Sequence, residues 1–153
     1  MVHKPKHKVH SFRGLLGDPG QEEINLERQN LNLAYRVIRF EIITYQPFSA
    51  NGEHVMQIFK EEQASASGTV DFDDTNLLGC AIWRHNEAEQ YPLSTQSIIF
   101  DTNLFSRNIW VTHIDINAAV SCNYYIELEE VPVGAATLMQ LKLGVARKLN
   151  LQQ

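Results

Sequence analysis

The feature that most constrains the fold is a series of short segments in which apolar and polar residues alternate, each ended by turn residues. These segments follow residue 31 at regular spacing and are rich in β-branched and aromatic side chains, which favour strands. The seven predicted strands are residues 34–46, 53–61, 69–72, 77–84, 95–101, 107–116 and 121–131. Short strands separated by turns are typical of an antiparallel sandwich or barrel. We therefore expect an all-β, antiparallel β-sandwich that is jelly-roll-like.

Alternation within the segments predicts which side chains face the core, because successive strand residues point to opposite sides. The predicted inward side chains are Ile38, Phe40 and Ile42 in the first segment and Tyr124, Ile126 and Leu128 in the last. Glu127 and Glu129 are predicted to face out. Asn51-Gly52 suits a type I′ turn and predicts a hairpin between residues 34–46 and 53–61.

The two ends of the chain differ from this strand-rich middle. The predicted parts are residues 1–30 as a basic arm and turn-rich leader, 31–131 as the sandwich, and 132–153 as a C-terminal helix and tail of the same domain. The helical spacing is carried by Leu138, Leu141, Val145 and Leu149, and it predicts an amphipathic helix. In the leader, Asp18-Pro19-Gly20 predicts a turn whose glycine is free to take positive φ, and Glu22 with Glu23 predicts a short helical turn.

The first thirteen residues carry a charge opposite to that of the rest of the chain. Their cations are Lys4, Lys6, Lys8 and Arg13, with no acid, whereas the remainder holds all 18 acidic residues and has a net charge of −9. Such a segment is expected to be disordered in isolation and to act as an assembly arm that tethers neighbouring subunits or touches nucleic acid. Four cations reach at most about four phosphates, so nucleic-acid binding per subunit would be weak and salt-sensitive. Its histidines His3, His7 and His10 lack a nearby cysteine or carboxylate, so no metal site is predicted there.

Composition narrows the classes of function. A hydrophobic content of 44% and a charged content of 20% are ordinary for a soluble globular protein. No stretch approaches the roughly 20 apolar residues of a membrane helix, and the N-terminus lacks the apolar core of a secretory signal. Cys80 and Cys122 fit a reducing compartment, although one buried disulfide also fits. Nucleotide-binding and serine-hydrolase motifs are absent, so we expect neither a cofactor nor an enzyme.

His113 and Asp115 are the best candidates for an active site. They lie two positions apart on one predicted strand, so their side chains share a face, with Asp101 and Glu127 as further acids that can come near. A histidine beside a carboxylate is the start of an acid–base pair or a metal site. A strand histidine among apolar neighbours is more often simply packed, and no nucleophile motif accompanies this pair.

The candidate ligand-contacting loops hold three acids and one tyrosine. Asp71, Asp73 and Asp74 offer oxygen ligands, but they lack the glycine and the distal glutamate of an EF-hand loop. The spacing favours a turn in which aspartates bind their own backbone. Tyr91, which precedes Pro92 in a polar loop, is the best exposed aromatic for stacking on a sugar or a base.

Five segments carry a resemblance to a known group of proteins. They are Gly17-Asp18-Pro19-Gly20-Gln21-Glu22-Glu23, Val70-Asp71-Phe72-Asp73 with Leu77-Leu78-Gly79, Ser97-Ile98-Ile99-Phe100-Asp101, Asn108-Ile109-Trp110-Val111-Thr112-His113 and Asn123-Tyr124-Tyr125-Ile126-Glu127. In order and spacing, from residue 14 to about 145, the chain resembles small virion proteins encoded by marine bacteriophages. The basic arm lies outside the resemblance. The resemblance implies a structural or accessory role in a virus particle and supplies no catalytic residues.

The leading expectation is therefore a virion structural protein, a capsid, decoration, tail or spike component that self-assembles. Its expected partners are copies of itself, other virion proteins and, through the arm, packaged nucleic acid, with no membrane. It would be made in the host cytoplasm and reside in the virion. The alternative is a small carbohydrate-binding sandwich that uses Tyr91 and the Asp71–Asp74 turn. The third interpretation is an enzyme that uses His113 and Asp115.

Overall fold

The described part of the chain is built from eight strands. The computed structural model describes residues 7–26, 33–47, 51–85 and 94–134, together with residues 136, 139 and 141. The strands are β1 (Val9–Leu16), β2 (Gly20–Ile24), β3 (Leu33–Thr44), β4 (Gly52–Phe59), β5 (Leu77–His85), β6 (Ser94–Ile99), β7 (Ile109–Asp115) and β8 (Cys122–Pro132). The predicted all-β class is confirmed.

The strands form two antiparallel sheets around one core. The smaller sheet has the order β1-β8-β3, and the larger has the order β2-β7-β4-β5-β6. Apolar side chains of both sheets meet in a single buried cluster, which includes Val37, Phe40, Met56, Ile58, Leu78, Val111, Tyr124, Ile126 and Leu128. The predicted sandwich is confirmed at this level. Burial of this apolar area is the main stabilising contribution, at roughly 25 cal/mol per Å².

A β-bulge interrupts the alternation of β3. Its register against β8 shifts between Val37 and Arg39. Val37 is buried before the shift, and Phe40 and Ile42 are buried after it. The extra residue, Ile38, is only half-buried, so the prediction that it shares the core face with Phe40 and Ile42 is wrong.

The predicted hairpin between residues 34–46 and 53–61 is also wrong. β3 lies in the smaller sheet beside β8, whereas β4 lies in the larger sheet between β5 and β7. β4 is buried along most of its length on both faces and is the central strand of the larger sheet. The predicted strand at residues 69–72 is a loop.

The extended-arm prediction fails for residues 9–13, which belong to β1. They pair with β8 of the same chain, starting at Val9 opposite Glu129. The backbone extends this contact, because the Lys8 carbonyl accepts the Glu130 N–H at 2.8 Å. His10 and Gly14 occupy two of the inward positions of β1, so the sequence of this strand lacks the regular apolar alternation. Lys4 and Lys6 lie outside the described residues.

The leader likewise forms a strand. Gly20–Ile24 is β2, paired with β7, so the helical turn predicted at Glu22 and Glu23 is wrong. The turn predicted at Asp18-Pro19-Gly20 joins β1 to β2, and its Asp18–Pro19 peptide bond is cis. Gly20 does not use positive φ, because no described glycine does. The helical propensity of the two glutamates is overridden by pairing with β7, which supplies hydrogen bonds along the whole of β2.

Two further predictions concern β8 and the C-terminus. Tyr124, Ile126 and Leu128 are buried as predicted. Glu129 is buried as well, 1% exposed, because Arg36 on β3 binds its carboxylate from the opposed position at 2.8 Å. The prediction that Glu129 faces solvent is therefore wrong. Residues 136, 139 and 141 are helical, and the rest of the predicted C-terminal helix lies outside the described residues.

Gly14 makes room for a buried aromatic ring. It stands directly opposite Tyr124 in the β1–β8 pair, and a Cβ added there would lie 2.7 Å from Cε1 of that ring. The Tyr124 hydroxyl, part of a residue 4% exposed, donates to the Glu22 carboxylate at 3.0 Å. Contact between β1, β8 and β2 therefore depends on a missing side chain.

We expect Gly14→Ala to lower the free energy of unfolding by about 1–3 kcal/mol, because the added methyl group overlaps the Tyr124 ring. Urea unfolding monitored by tryptophan fluorescence measures the change. Gly17→Ala is the matched control, since a Cβ there meets nothing within 4 Å. That control should lie within about 0.5–1 kcal/mol of the wild type. Equal stability of the two variants would contradict the packing argument.

Candidate functional site

Titratable side chains converge where several strands end. β3 ends at Thr44 and β7 ends at Asp115, while β8 begins at Cys122. His54, near the start of β4, stands opposite Asp115 in the β4–β7 pair. Antiparallel neighbours run in opposite directions, so the ends of β3 and β7 meet the starts of β4 and β8 at one end of the sandwich.

The centre of the site is a cluster of His54, His113 and Cys122. One nitrogen or sulfur atom from each residue lies within 4.8 Å of the other two. All three residues are 0% exposed. Gly52 flanks the cluster, and a Cβ added there would lie 2.9 Å from His54 Nε2. Buried imidazoles of this kind must find hydrogen-bond partners or bind a metal.

The two histidines form a continuous chain of hydrogen bonds. His54 Nδ1 is 2.9 Å from His113 Nε2, and the rings are 5.1 Å apart between centroids. His113 Nδ1 donates to the Gly17 carbonyl at 2.6 Å. His54 Nε2 is 2.8 Å from the Thr44 hydroxyl oxygen. The chain therefore runs from Thr44 through both rings to the turn between β1 and β2.

The carbonyl at one end fixes the protons when both rings are neutral. Because Gly17 O only accepts, His113 carries its proton on Nδ1 and leaves Nε2 as an acceptor. His54 then donates from Nδ1 to His113, and Thr44 donates its hydroxyl proton to His54 Nε2. Burial lowers the pKa of His54; the Asp115 carboxylate opposes this effect, and His113 adds to it. This lowered pKa favours the neutral ring.

Asp115 organises the loop that follows β7. Its carboxylate accepts backbone N–H groups at 2.9–3.2 Å, donated by Glu53, Asn117, Ala118 and Val120. Burial alone would raise the pKa of Asp115, but these N–H groups favour the charged form and leave the pKa below its ordinary value. The loop also holds Ala119 at a φ of 54°, in the left-handed region. The carboxylate thus replaces the regular backbone pairing that ends with β7.

The structure brings His113 and Asp115, the predicted active-site pair, to one end of the sandwich. Both residues are buried there, at 0% and 6% exposed. The ring nearest the carboxylate belongs to His54, whose Nδ1 is 3.9 Å from Asp115 Oδ2. Sequence reasoning missed His54, although its place two residues before Met56 predicts the same face as that buried side chain.

The other predicted candidates lie apart from this cluster. Asp71 accepts the N–H of Asp73 and Asp74 accepts the N–H of Asn76, both at 2.9 Å, which confirms the predicted self-satisfied turn. Tyr91 lies outside the described residues. His10, from the arm, binds the Glu130 carboxylate at 2.6 Å.

The two cysteines are free and buried. Burial raises the pKa of Cys80, as predicted for a thiol in an apolar strand, while a backbone hydrogen bond from Ile98 lowers it. Burial and the nearby Asp115 carboxylate raise the pKa of Cys122 to about 12. Both thiols therefore stay protonated at neutral pH when no metal is bound.

A second candidate is the solvent side of the smaller sheet, which we call the outer face. It is formed by Ser11, Arg13 and Leu15 of β1, Asn123, Tyr125 and Glu127 of β8, and Arg39, Glu41 and Ile43 of β3. A shallow depression of about 510 Å³ lies on it. The Arg39 guanidinium sits 5.4 Å from the centre of the Tyr125 ring and 2.9 Å from Glu41.

Comparison of the chain with protein-family models, with curated proteins and with solved structures gives no match. Within the described residues, no helix has the length and apolar character needed to cross a membrane.

We expect Asp115→Asn to lower the free energy of unfolding by about 1–3 kcal/mol, because an amide cannot accept all the backbone N–H groups that the carboxylate accepts. Urea unfolding measures the loss. Amide hydrogen exchange should show the largest increase at Asn117, Ala118 and Val120.

The matched control is Asp101→Asn, at an exposed aspartate in another loop. This variant should remain within about 0.5 kcal/mol of the wild type. An Asp115→Asn protein with wild-type stability and unchanged exchange in the loop would contradict the role assigned to the carboxylate.

Proposed function

We propose that this protein is a structural subunit of a virus particle, with a jelly-roll sandwich that assembles through contacts between copies. The observation that carries the proposal is the pairing pattern of the strands. The resemblance of residues 14 to about 145 to virion proteins of marine bacteriophages supplies the particle context. Because one fold hosts many functions, the proposal also depends on a surface suited to contact between copies.

The pairing pattern supports the jelly roll directly. A jelly roll is a long antiparallel ribbon wrapped into two sheets, with pairs formed by strands one and eight, two and seven, three and six, and four and five. β1 pairs with β8, β2 with β7 and β4 with β5. β6 is hydrogen-bonded to β5 and lies close to β3, its partner in the regular arrangement. Jelly rolls of this kind build many viral capsids.

The outer face suits contact with a second copy of the chain. Two large apolar side chains, Leu15 and Ile43, are 48% and 54% exposed and stand in one row across β8, both opposite Asn123. Large exposed apolar side chains in one patch mark interaction surfaces. The charges beside them are Arg13 and Arg39 against Glu41 and Glu127.

This charge balance favours a protein partner over nucleic acid. Two cations and two anions leave the outer face with no net charge, so it offers little attraction to a polyanion. A two-fold related copy presents the same set, and each arginine can then face a glutamate. The rigid Tyr125 ring, held by its hydroxyl at 2.7 Å from Glu127, adds an aromatic contact at the centre.

The size of the outer face predicts a weak single contact. It spans five residues along each of three strands, so it measures roughly 17 Å by 14 Å, or about 240 Å². A standard interface takes about 800 Å² from each partner. Contacts of this size become stable when many copies engage at once, as in a shell.

The basic N-terminal segment is the proposed second contact. Arg13 lines the depression on the outer face, and Lys8 directly precedes β1. The residues before Lys8 include Lys4 and Lys6, which carry positive charge toward a neighbouring subunit or toward nucleic acid. The acidic remainder of the chain makes a neighbouring subunit a suitable target.

We expect the wild type to form oligomers whose mass rises with protein concentration, and Leu15→Lys/Ile43→Lys to shift them toward monomer, because each lysine places an uncompensated charge in the contact. Analytical ultracentrifugation measures the mass. Ile116→Lys is the control, since Ile116 is 60% exposed in the loop after β7. A monomeric wild type, or equal dissociation of both variants, would count against the outer face.

A truncation separates the tether from the fold. Deleting residues 2–7 removes Lys4 and Lys6 but leaves β1 whole, so thermal stability should be unchanged and oligomer mass should fall. Deleting residues 2–13 also removes much of β1 and should destabilise the sandwich. If the protein lacking residues 2–7 assembles as well as the full chain, the tether is wrong.

Sugar binding is the second candidate function, because jelly rolls also build lectins and the depression on the outer face holds an aromatic ring between charged groups. A glycan array with and without Ca²⁺ tests it. Binding that Tyr125→Ala abolishes, on a wild type that is monomeric, would favour this function over assembly.

A further inference from the structure

We propose that His54, His113 and Cys122 form a buried binding site for one zinc ion. The three residues come from three strands, β4, β7 and β8, so the site would join both sheets. One potential ligand atom of each lies within 4.8 Å of the others. Imidazole nitrogen and thiolate sulfur are ligands that zinc binds in proteins. This inference is independent of the proposed assembly function.

The present geometry is close to that of a metal site. Tetrahedral zinc with Zn–N and Zn–S distances of about 2.0–2.3 Å places its ligand atoms about 3.3–3.6 Å apart. His54 Nδ1 and His113 Nε2 are 2.9 Å apart and already face each other. The rings must separate by roughly 0.4 Å and turn so that both nitrogens point at the ion. Cys122 Sγ, which lies within 4.8 Å of the two nitrogens, must approach them by at most roughly 1.2 Å.

The outer nitrogens of both rings have the partners that metal-bound histidines use. A ligating histidine usually donates its other N–H to a carbonyl, a carboxylate or water, which fixes the ring. His113 Nδ1 donates to Gly17 O at 2.6 Å. His54 Nε2 lies 2.8 Å from Thr44 Oγ1. Both inner nitrogens are thereby directed at the place of the ion.

Binding needs one rearrangement of protons. In the neutral chain His54 carries its proton on Nδ1, which must be free to bind zinc. That proton moves to Nε2, and Thr44 changes from donor to acceptor, which a hydroxyl can do by rotation. The Cys122 thiol loses its proton to solvent as the thiolate forms. One proton is therefore released for each zinc bound.

The charges favour a divalent ion. The Cys122 thiolate and the Asp115 carboxylate together carry two negative charges at a buried site, which Zn²⁺ balances and a monovalent ion does not. Three ligands leave one tetrahedral position open, and Asp115 Oδ2, 3.9 Å from His54 Nδ1, is the nearby oxygen that can fill it. The only hydrogen bond of Cys122 Sγ among the described residues is a long one, 3.6 Å to Asn123 O, so the sulfur loses little by binding metal.

The test uses the full chain, unfolded under reducing conditions and refolded with zinc or with EDTA, because the site is buried. After gel filtration, mass spectrometry of the metal content should give about one zinc per chain for the wild type. The zinc-loaded protein should melt several degrees higher than the EDTA sample. Refolding with Co²⁺ should give an intense thiolate-to-cobalt absorption band.

Matched variants locate the metal. Cys122→Ser and His54→Gln should lose the zinc, whereas Cys80→Ser should keep it, since Cys80 is the other buried thiol and stands in β5. His3→Ala/His7→Ala should also keep it, which excludes these two N-terminal histidines. A wild type that refolds without zinc and melts equally with EDTA would overturn the proposal, even if every variant failed to fold. Full zinc retention by a folded Cys122→Ser would also overturn it.

Discussion

A buried series of hydrogen bonds connects the two sheets at one end of the sandwich. Thr44 belongs to the smaller sheet, the two histidines belong to the larger one, and Gly17 lies in the turn that crosses between them. Each polar group in this chain is removed from water and would cost about 1–3 kcal/mol if left without a partner. Without a bound metal, any arrangement of the strand ends that breaks these hydrogen bonds leaves a buried donor or acceptor without a partner. Apolar packing alone would allow the two layers to slide over each other more freely.

The fold was predictable where local pattern and tertiary pairing agree. β5, β7 and β8 are strongly apolar or cleanly alternating, and the sequence located them within a few residues. The alternation of polar and apolar residues did not predict β1, because this strand turns His10 and Gly14 toward the interior. The glycine is explained only by the Tyr124 ring that packs against it. Strand order was unpredictable for the same reason, since a turn signal such as Asn51-Gly52 says nothing about which sheet the next strand joins.

The sequence predicted two of the four residues of the candidate site, His113 and Asp115, and left out His54 and Cys122. Spacing placed His113 and Asp115 on one face, which the β4–β7 register uses. Nothing in the sequence linked them to His54 or Cys122, because their distances along the chain carry no information until the register of three strands is known. The outer face could not be predicted from the sequence for a different reason. Its members alternate with core residues on three strands, and only the order β1-β8-β3 puts them side by side.

The pairing of the first strand with the last has a consequence for synthesis of the protein. His10 and Glu130 are in contact although 120 positions separate them. As the chain leaves the ribosome, β1 has no partner until almost all of the sandwich has emerged, and Cys122 reaches the two histidines equally late. Long-range pairing of this kind makes folding slow and leaves strand edges open meanwhile. Lys8 before β1 and Arg13 within it place positive charge on this strand while it is unpaired, and charge on an open strand opposes pairing with another copy.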